Sequence, residues 1–183
     1  MKKKELREKY KKLRSELSFA ELEVISARIV FNFAMDIYTI GKKISVFIPI
    51  EKFNEVNTWT LLETIEEDLF LPVIQPDNKL KHIRFSSKEQ LKKNNWGILE
   101  PQYGDELDVS NIDIVIVPLL TIDKTGNRVG YGKGYYDNFL AQCKPDCIFV
   151  GLYQFDELEV IDDLHESDIP LHYCITPTHI IKF

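Results

Sequence analysis

Lys124, Arg128 and Lys133 are interleaved with Gly126, Gly130, Gly132 and Gly134 in the stretch TIDKTGNRVGYGKG. Glycine admits positive φ and leaves no Cβ in a ligand's way, so successive N–H groups can converge on one anion while the cations add charge. The chemistry this suits is phosphate binding. Asp137 follows Gly134 by about one helical turn, where a carboxylate can share a magnesium ion with the same phosphate. Two familiar phosphate loops do not match. Lys133 is followed by Gly134 rather than Ser or Thr, Gly126 to Gly132 is one residue too long for G-x-x-x-x-G-K, and the pattern is not G-x-G-x-x-G. Taken alone, the loop equally suits a glycine-rich turn with solvated cations.

The neighbouring segments would hold that loop in place. IDIVIVPLL, closed by Pro118, is too short and too rich in Ile and Val for a soluble helix and reads as a strand buried on both faces. YYDNFLA after the loop reads as a helix, whose start adds a positive dipole end to the phosphate site. Leu6, Tyr10, Leu13 and Leu17 recur at helical spacing, and Ser18 with Glu21 forms a capping box that opens a second helix bearing Leu22, Ile25, Ile29 and Phe33. A strand is expected near Lys43–Ile50, a helix capped by Thr58 over Trp59–Leu69, short β runs at FLPVI and HIRFSS, and a buried strand at CIFVGLY. DELEVIDDLHESD reads as a polar helix or turn. Strands alternating with helices predict a single three-layer α/β/α domain with a largely parallel central sheet and a helical N-terminus. In such sheets ligands bind beyond the carboxyl ends of the strands, where this loop lies.

Composition narrows the function classes. The 183 residues are 44% hydrophobic and 28% charged with net charge −6, which suits one soluble domain and argues against a general nucleic-acid or membrane-surface role. No apolar run reaches the length of a membrane helix, and the basic first residues lack a signal peptide's apolar core, so a cytoplasmic protein is expected. Cys143, Cys147 and Cys174 read as free thiols, because no second pair completes a zinc site. His165, His172 and His179 recur at seven, unsuited to a metal pair on one helical turn. Lys3, Lys4, Arg7, Lys11, Lys12 and Arg14 make the first helix strongly basic; Arg7 and Arg14 share one face and could grip phosphate in fork geometry.

The run PLLTIDKTGNRVGYGKGYYDNFL resembles the signature of the 5-formyltetrahydrofolate cyclo-ligase family, also called 5,10-methenyltetrahydrofolate synthetases, with Ile122 before the Asp and Asn138 where a base is usual. The resemblance extends to the N-terminal Arg pair, to Glu55-Val56-Asn57-Thr58, to the tract from Trp96 to Pro101, and to Asp168-Ile169-Pro170 with Ile175, Thr176 and Pro177. It implies ATP-dependent closure of 5-formyltetrahydrofolate to 5,10-methenyltetrahydrofolate, with Mg2+, on a monomer that needs no other partner. By resemblance Lys3, Lys4, Arg7, Arg14, Arg128, Gly130, Tyr131, Gly132, Lys133, Gly134, Tyr135, Tyr136 and Asp137 would meet the nucleotide. Lys133, Arg128 and Tyr135 would serve the chemistry, and Asp137 and Asp168 the metal. Ile50, Glu55, Trp96 and Tyr135 would line the folate site, Glu55 taking two N–H bonds from the pterin edge. Trp96 equally suits a buried core position. A folate- or nucleotide-binding regulator without turnover, and a sugar-phosphate isomerase or acyl-CoA transferase on a related fold, are the competing classes.

Overall fold

Alternate residues of the central strand point into two different cores. In the computed structural model, which describes all 183 residues, Ile114 and Ile116 pack with one apolar cluster and Val115 and Val117 with another on the opposite face of the sheet. Period-two alternation with both faces apolar is what a strand covered by helices on each side requires.

The elements in chain order are α1 (Lys3–Ser15), α2 (Phe19–Asp36), β1 (Lys43–Ser45), α3 (Trp59–Thr64), β2 (Asp68–Gln75), β3 (Lys79–Arg84), β4 (Leu91–Lys93), β5 (Leu99–Pro101), β6 (Glu106–Leu107), β7 (Ile114–Pro118), β8 (Thr121–Ile122), β9 (Arg128–Val129), α4 (Tyr135–Leu140), β10 (Ile148–Leu152), β11 (Tyr173–Ile175) and β12 (Ile180–Lys182). Eight of the strands form one sheet in the order β12-β11-β10-β7-β1-β2-β3-β6. Its inner five, β11 through β2, pair in parallel, while β12 and the β3–β6 pair are antiparallel additions at the two edges. Ile29 and Phe33 of α2 and Leu61 and Leu62 of α3 cover one face; Leu6 and Tyr10 of α1 and Phe139 and Leu140 of α4 cover the other. This is the expected three-layer arrangement. Ser18 caps α2 as the sequence predicts, its hydroxyl accepting from the Glu21 amide at 3.3 Å.

Several local expectations are corrected. The strand foreseen over Lys43–Ile50 is regular only across Lys43–Ser45, with one further bond from the Val46 amide to the Phe70 carbonyl at 2.9 Å, and Val46, Phe47 and Ile48 remain buried. The Thr58 hydroxyl donates to the Phe47 carbonyl at 2.6 Å, so that carbonyl leaves the ladder and the chain peels away toward Glu55. Thr58 therefore caps no helix with its side chain; Asn57 Oδ1 accepts the Trp59 amide instead, at 3.1 Å. The helix foreseen to Leu69 stops at Thr64, because Leu69, Phe70 and Leu71 are drawn into β2 by pairing with β1 and β3. Simple alternation of strands and helices also fails, since β2–β3, β4–β5, β8–β9 and β11–β12 are antiparallel pairs. The DELEVIDDLHESD tract contains no helix. No helix is long and apolar enough to cross a membrane.

Candidate functional site

The glycine loop begins beyond the carboxyl end of β7, across the short β8–β9 hairpin. Asp123 shapes that hairpin: its Oδ1 accepts the amides of Thr125 and Asn127 at 2.8 and 2.9 Å and the Thr125 hydroxyl at 2.8 Å. Gly126 then takes φ +86°, and a Cβ there would meet the Leu171 carbonyl at 2.7 Å, so glycine is demanded both by conformation and by space. The next turn carries Lys133 between Gly132 (φ +84°) and Gly134 (φ +74°), leaving the lysine exposed with no ion-pair partner.

Helix α1 forms the facing wall, and its basic residues divide by side. Lys3, Arg7 and Arg14 reach the site. The Arg7 Nε donates to the Gly130 carbonyl at 2.9 Å, and a Cβ on Gly132 would lie 3.0 Å from the Arg7 guanidinium carbon. Lys3 pairs with Asp168, whose carboxylate also accepts the His165 amide at 2.6 Å. Burial alone would raise the Asp168 carboxyl, but the Lys3 ammonium, the His165 amide and the Arg128 charge outweigh it and hold it below the usual carboxylate range. Lys4, one residue on, projects into solvent without a partner.

Arg128 lies between the two acids assigned to magnesium. One terminal nitrogen donates to Asp137 Oδ1 at 2.7 Å and the other to the Ile169 carbonyl at 2.5 Å, with the side chain only 5% exposed. An arginine spent this way ties α4 to the closing tract rather than facing a free triphosphate. Asp137 Oδ1 also accepts the Ile169 amide at 3.4 Å, which brings Asp137 beside Asp168 although they are far apart in the chain. Each acid keeps one oxygen, Asp137 Oδ2 and Asp168 Oδ1, that makes no hydrogen bond within the protein. The donor set, with no cluster of three or more acids, histidines or cysteines, does not make an all-protein cage. It fits a magnesium ion that keeps its waters and arrives on phosphate oxygens.

A second constellation is built on Glu55, only 4% exposed. Its Oε2 accepts the Ile50 amide at 2.7 Å and its Oε1 accepts the Tyr131 hydroxyl at 2.7 Å, while Arg14 donates to that same hydroxyl at 3.0 Å and to the Leu119 carbonyl. Burial raises the Glu55 carboxyl above the ordinary value, against the lowering effects of the Ile50 amide, Arg14 and Tyr131. Burial and the Glu55 charge likewise push the Tyr131 phenol up. Ile50 thus enters through its backbone. Tyr135 stands half-buried at the first position of α4, and Tyr136 packs its ring on Phe139 at 6.1 Å between centroids, its phenol raised by burial. Trp96 is neither core nor stacked on any aromatic ring: it sits 61% exposed in the turn of the β4–β5 hairpin.

Sequence reasoning placed Tyr131 with the nucleotide and missed that its hydroxyl joins Glu55 to Arg14. It missed also Asn54, in left-handed conformation at φ 45°, whose amide donates to the Arg14 carbonyl at 2.7 Å while Gln154 donates to its own carbonyl at 2.6 Å. The signal for Asp123 was present: Asp two residues before Thr and four before Asn is turn chemistry.

Comparison with known proteins covers nearly the whole chain. Residues 1–177 match the model of the 5-formyltetrahydrofolate cyclo-ligase family. The 5-formyltetrahydrofolate cyclo-ligase of Mus musculus is 31% identical over 150 residues, 76% of this chain and 71% of its own. That of Haemophilus influenzae is 32% identical over 140 residues, 72% of this chain and 73% of its own. The solved structure of Aquifex aeolicus 5,10-methenyltetrahydrofolate synthetase matches with a TM-score of 0.83 at 28% identity, over 100% of this chain and 93% of that one. A 5,10-methenyltetrahydrofolate synthetase from Mycoplasma pneumoniae matches in fold with a TM-score of 0.71 at 22% identity, over 97% of this chain and 99% of its own.

Proposed function

Since this chain belongs to the 5-formyltetrahydrofolate cyclo-ligase family, we propose that it converts 5-formyltetrahydrofolate and ATP to 5,10-methenyltetrahydrofolate, ADP and phosphate. The observation that carries this reading is the convergence of two unlike half-sites on one helix. Through Lys3 and Arg7, α1 meets the glycine loop and the acid pair; through Arg14 it meets the buried Glu55. One half suits a triphosphate and the other a neutral heterocycle with N–H donors.

The formyl group of the substrate is an amide, and its nitrogen donates into the carbonyl and shields the carbon. Transfer of the γ-phosphoryl group of ATP to the formyl oxygen breaks the bond to the ADP oxygen and turns the formyl oxygen into a leaving group. N10 then attacks the carbon and gives up its proton to the departing phosphate or to water, the ring closes, and phosphate leaves with that oxygen. Catalysis of such a transfer rests on positioning and on charge placed where charge develops. Lys133, unpaired and held between glycines, is the cation for the transferring group. Gly130, Gly132 and Gly134 present backbone to the phosphates. Arg7, already on the Gly130 carbonyl, fixes the loop against α1.

Arg128 acts as a positioning residue, holding Asp137 beside Asp168. Magnesium bound by these two acids would neutralise charge on the transferring phosphoryl group. Glu55 accepts the pterin N–H edge, and Tyr131 must yield or share Oε1 when it does. Tyr135 packs between the two half-sites. No protein nucleophile is needed, because N10 serves. We take the enzyme to be a cytoplasmic, single-domain protein whose catalytic unit is the monomer. Mixing the pure protein with 5-formyltetrahydrofolate and Mg-ATP should give the absorbance of the methenyl product with one ADP released per turnover. Folate binding without ADP release would replace the enzyme by a non-catalytic binder.

A further inference from the structure

Helix α2 is apolar on two faces. Ile29, Val30 and Phe33 are buried in the core against the sheet, and the outward face carries Ala20, Val24, Ala27, Phe31, Ala34 and Met35, every one exposed. The first five step by alternate fours and threes, and with Met35 they fall within a stripe about 100° wide. None of the helix's charged residues, Glu21, Glu23, Arg28 and Asp36, falls within it. The turn after the helix adds Tyr38 and Ile40, so that Val24, Phe31, Met35, Tyr38 and Ile40 stand 54 to 69% exposed along one side of the molecule. A helix that is hydrophobic all round belongs in an interior, and here half of it faces water.

We infer that this stripe is where two copies of the chain pair, α2 against α2, antiparallel about a two-fold axis at the level of Ile29. The sizes along the stripe are self-complementary: Val24 and Phe31 are large where Ala27 and Ala34 are small. About that axis Phe31 meets the partner's Ala27 and Val24 meets the partner's Ala34, so each large side chain enters a gap above an alanine. The partner's Tyr38 and Ile40 then lie over the first turn at Ala20. A parallel pair would instead set Phe31 on Phe31 and leave alanine facing alanine. At roughly 100 to 150 Å² for each of the five large side chains and about 50 Å² for each alanine, pairing would bury about 1,300 Å² in all, within the range of specific interfaces and beyond that of most chance contacts. A membrane surface suits the stripe less well. Helices that lie on lipid carry Lys and Arg on their polar side, whereas the charges of α2 are three acids and one arginine. The site stays open in the pair, because α1 and α4 lie on the other face of the sheet and each chain keeps a whole site.

Sedimentation velocity of the wild type should show the mass rising with concentration from 21.4 kDa toward twice that. The dissociation constant should be on the order of 10 µM, as suits an interface at the small end of the range, and added salt should not weaken it, because no ion pair holds it. Phe31→Glu should weaken pairing by roughly thirtyfold or more, the scale of a residue central to an interface, and leave kcat and both KM values unchanged in dilute solution. Where Phe31→Glu fails to fold, Phe31→Ser with Met35→Ser reads the same loss. Orientation is read on a Cys143→Ser background: Val24→Cys mixed with Ala34→Cys and an added thiol oxidant should give a disulfide-linked pair, and Val24→Cys alone should give none. A wild type that stays at 21.4 kDa up to hundreds of micromolar, or a pair that survives Phe31→Glu at full strength, overturns the assignment. So does cross-linking of Val24→Cys to itself, which would make the pair parallel. Co-sedimentation with phosphatidylcholine or phosphatidylglycerol vesicles that is lost in Phe31→Glu overturns it too, by giving the stripe to a lipid surface.

Discussion

Asp168 and Glu55 are both carboxylates reached from α1, and their surroundings differ in kind. Asp168 is paired with Lys3 and lies near Arg128, so its charge is neutralised in place and its proton is lost early. Glu55 is bonded by an amide and a phenol, with Arg14 one group away, and burial makes its charged form costly. The first environment tolerates the high charge density of a phosphate beside it, because cations and acids are already interleaved. The second favours a ligand that brings protons to a carboxylate. The same helix serves both because its polar face carries lysine and arginine at several heights.

The sharpest way to break this division is Lys133→Ala. Lys133 is exposed and unpaired, so the fold should be untouched while turnover falls by roughly a hundredfold or more, the order seen when one preorganised charge is removed from a transferring group. Near-normal turnover in the folded variant would strip the loop of its phosphoryl role. Glu55→Gln should next raise the KM of the folate by about tenfold or more, corresponding to a charge-assisted bond of about 1.5 to 3 kcal/mol, with little effect on that of ATP. Acidification should mimic it. With Glu55 raised and Asp168 lowered, Glu55 takes up its proton first as pH falls. The folate KM should therefore climb at a pH where the ATP KM is still flat, and the reverse order would remove the contrast.

His82 separates effects of pH on the fold from effects on the site. It is fully buried on β3 against the Phe139 ring at 4.2 Å, with no protein partner for either nitrogen, and burial lowers it to about 3. The unfolded chain binds a proton below about pH 6.5 that the folded chain refuses until near 3, so stability present at neutral pH is lost as pH falls through that window. At pH 5 the loss is about 2 kcal/mol, at 1.36 kcal/mol for each pH unit. His82→Phe should lessen the fall in Tm between pH 7 and 5 without altering KM for either substrate; an unchanged acid-induced fall would clear His82 of it. The smallest effect concerns magnesium. Asp137→Asn and Asp168→Asn should each raise the magnesium concentration needed for half-maximal turnover by several-fold, and the double variant should be little worse than the poorer single one, as for residues serving one ion. Fully additive losses with no change in magnesium dependence would mean that the two acids serve only their cation partners.

Much of the phosphate half was legible because its information is local. Gly126, Gly132 and Gly134 announce positive φ within a few residues of one another, and Lys133 stands exposed between two of them. Helical spacing put Arg7 and Arg14 on one face of α1, but not their partners: Arg7 goes to the Gly130 carbonyl, and Arg14 to the Tyr131 hydroxyl and the Leu119 carbonyl. The Glu55 half was not legible, because its bonds join residues far apart: Tyr131 to Glu55, Thr58 to the Phe47 carbonyl, Gln154 to Asn54. No period or motif encodes such a pairing. The same reason hid the limits of β1 and α3, where Leu61, Ile65 and Leu69 keep helical spacing while Leu69, Phe70 and Leu71 also suit a strand, and pairing with β1 decides. Trp96 is a different case, in which exposure removes the core alternative alone. Its position in the chain could have been core or site, and the β4–β5 hairpin carries it out to solvent.

The contacts of α1 fix when in its own history the chain becomes competent. Lys3 reaches a partner 165 residues away, Arg7 one 123 away and Arg14 one 117 away. A helix of 13 residues is marginal on its own in water, and this one is synthesised well before the segments it grips. It must wait, exposing Leu6 and Tyr10, until the loop and the closing tract have been made. Formation of the active centre and closure of the last long-range contacts are then one event, so ATP protection should appear late in refolding, in step with burial of α1 rather than with early collapse of the sheet.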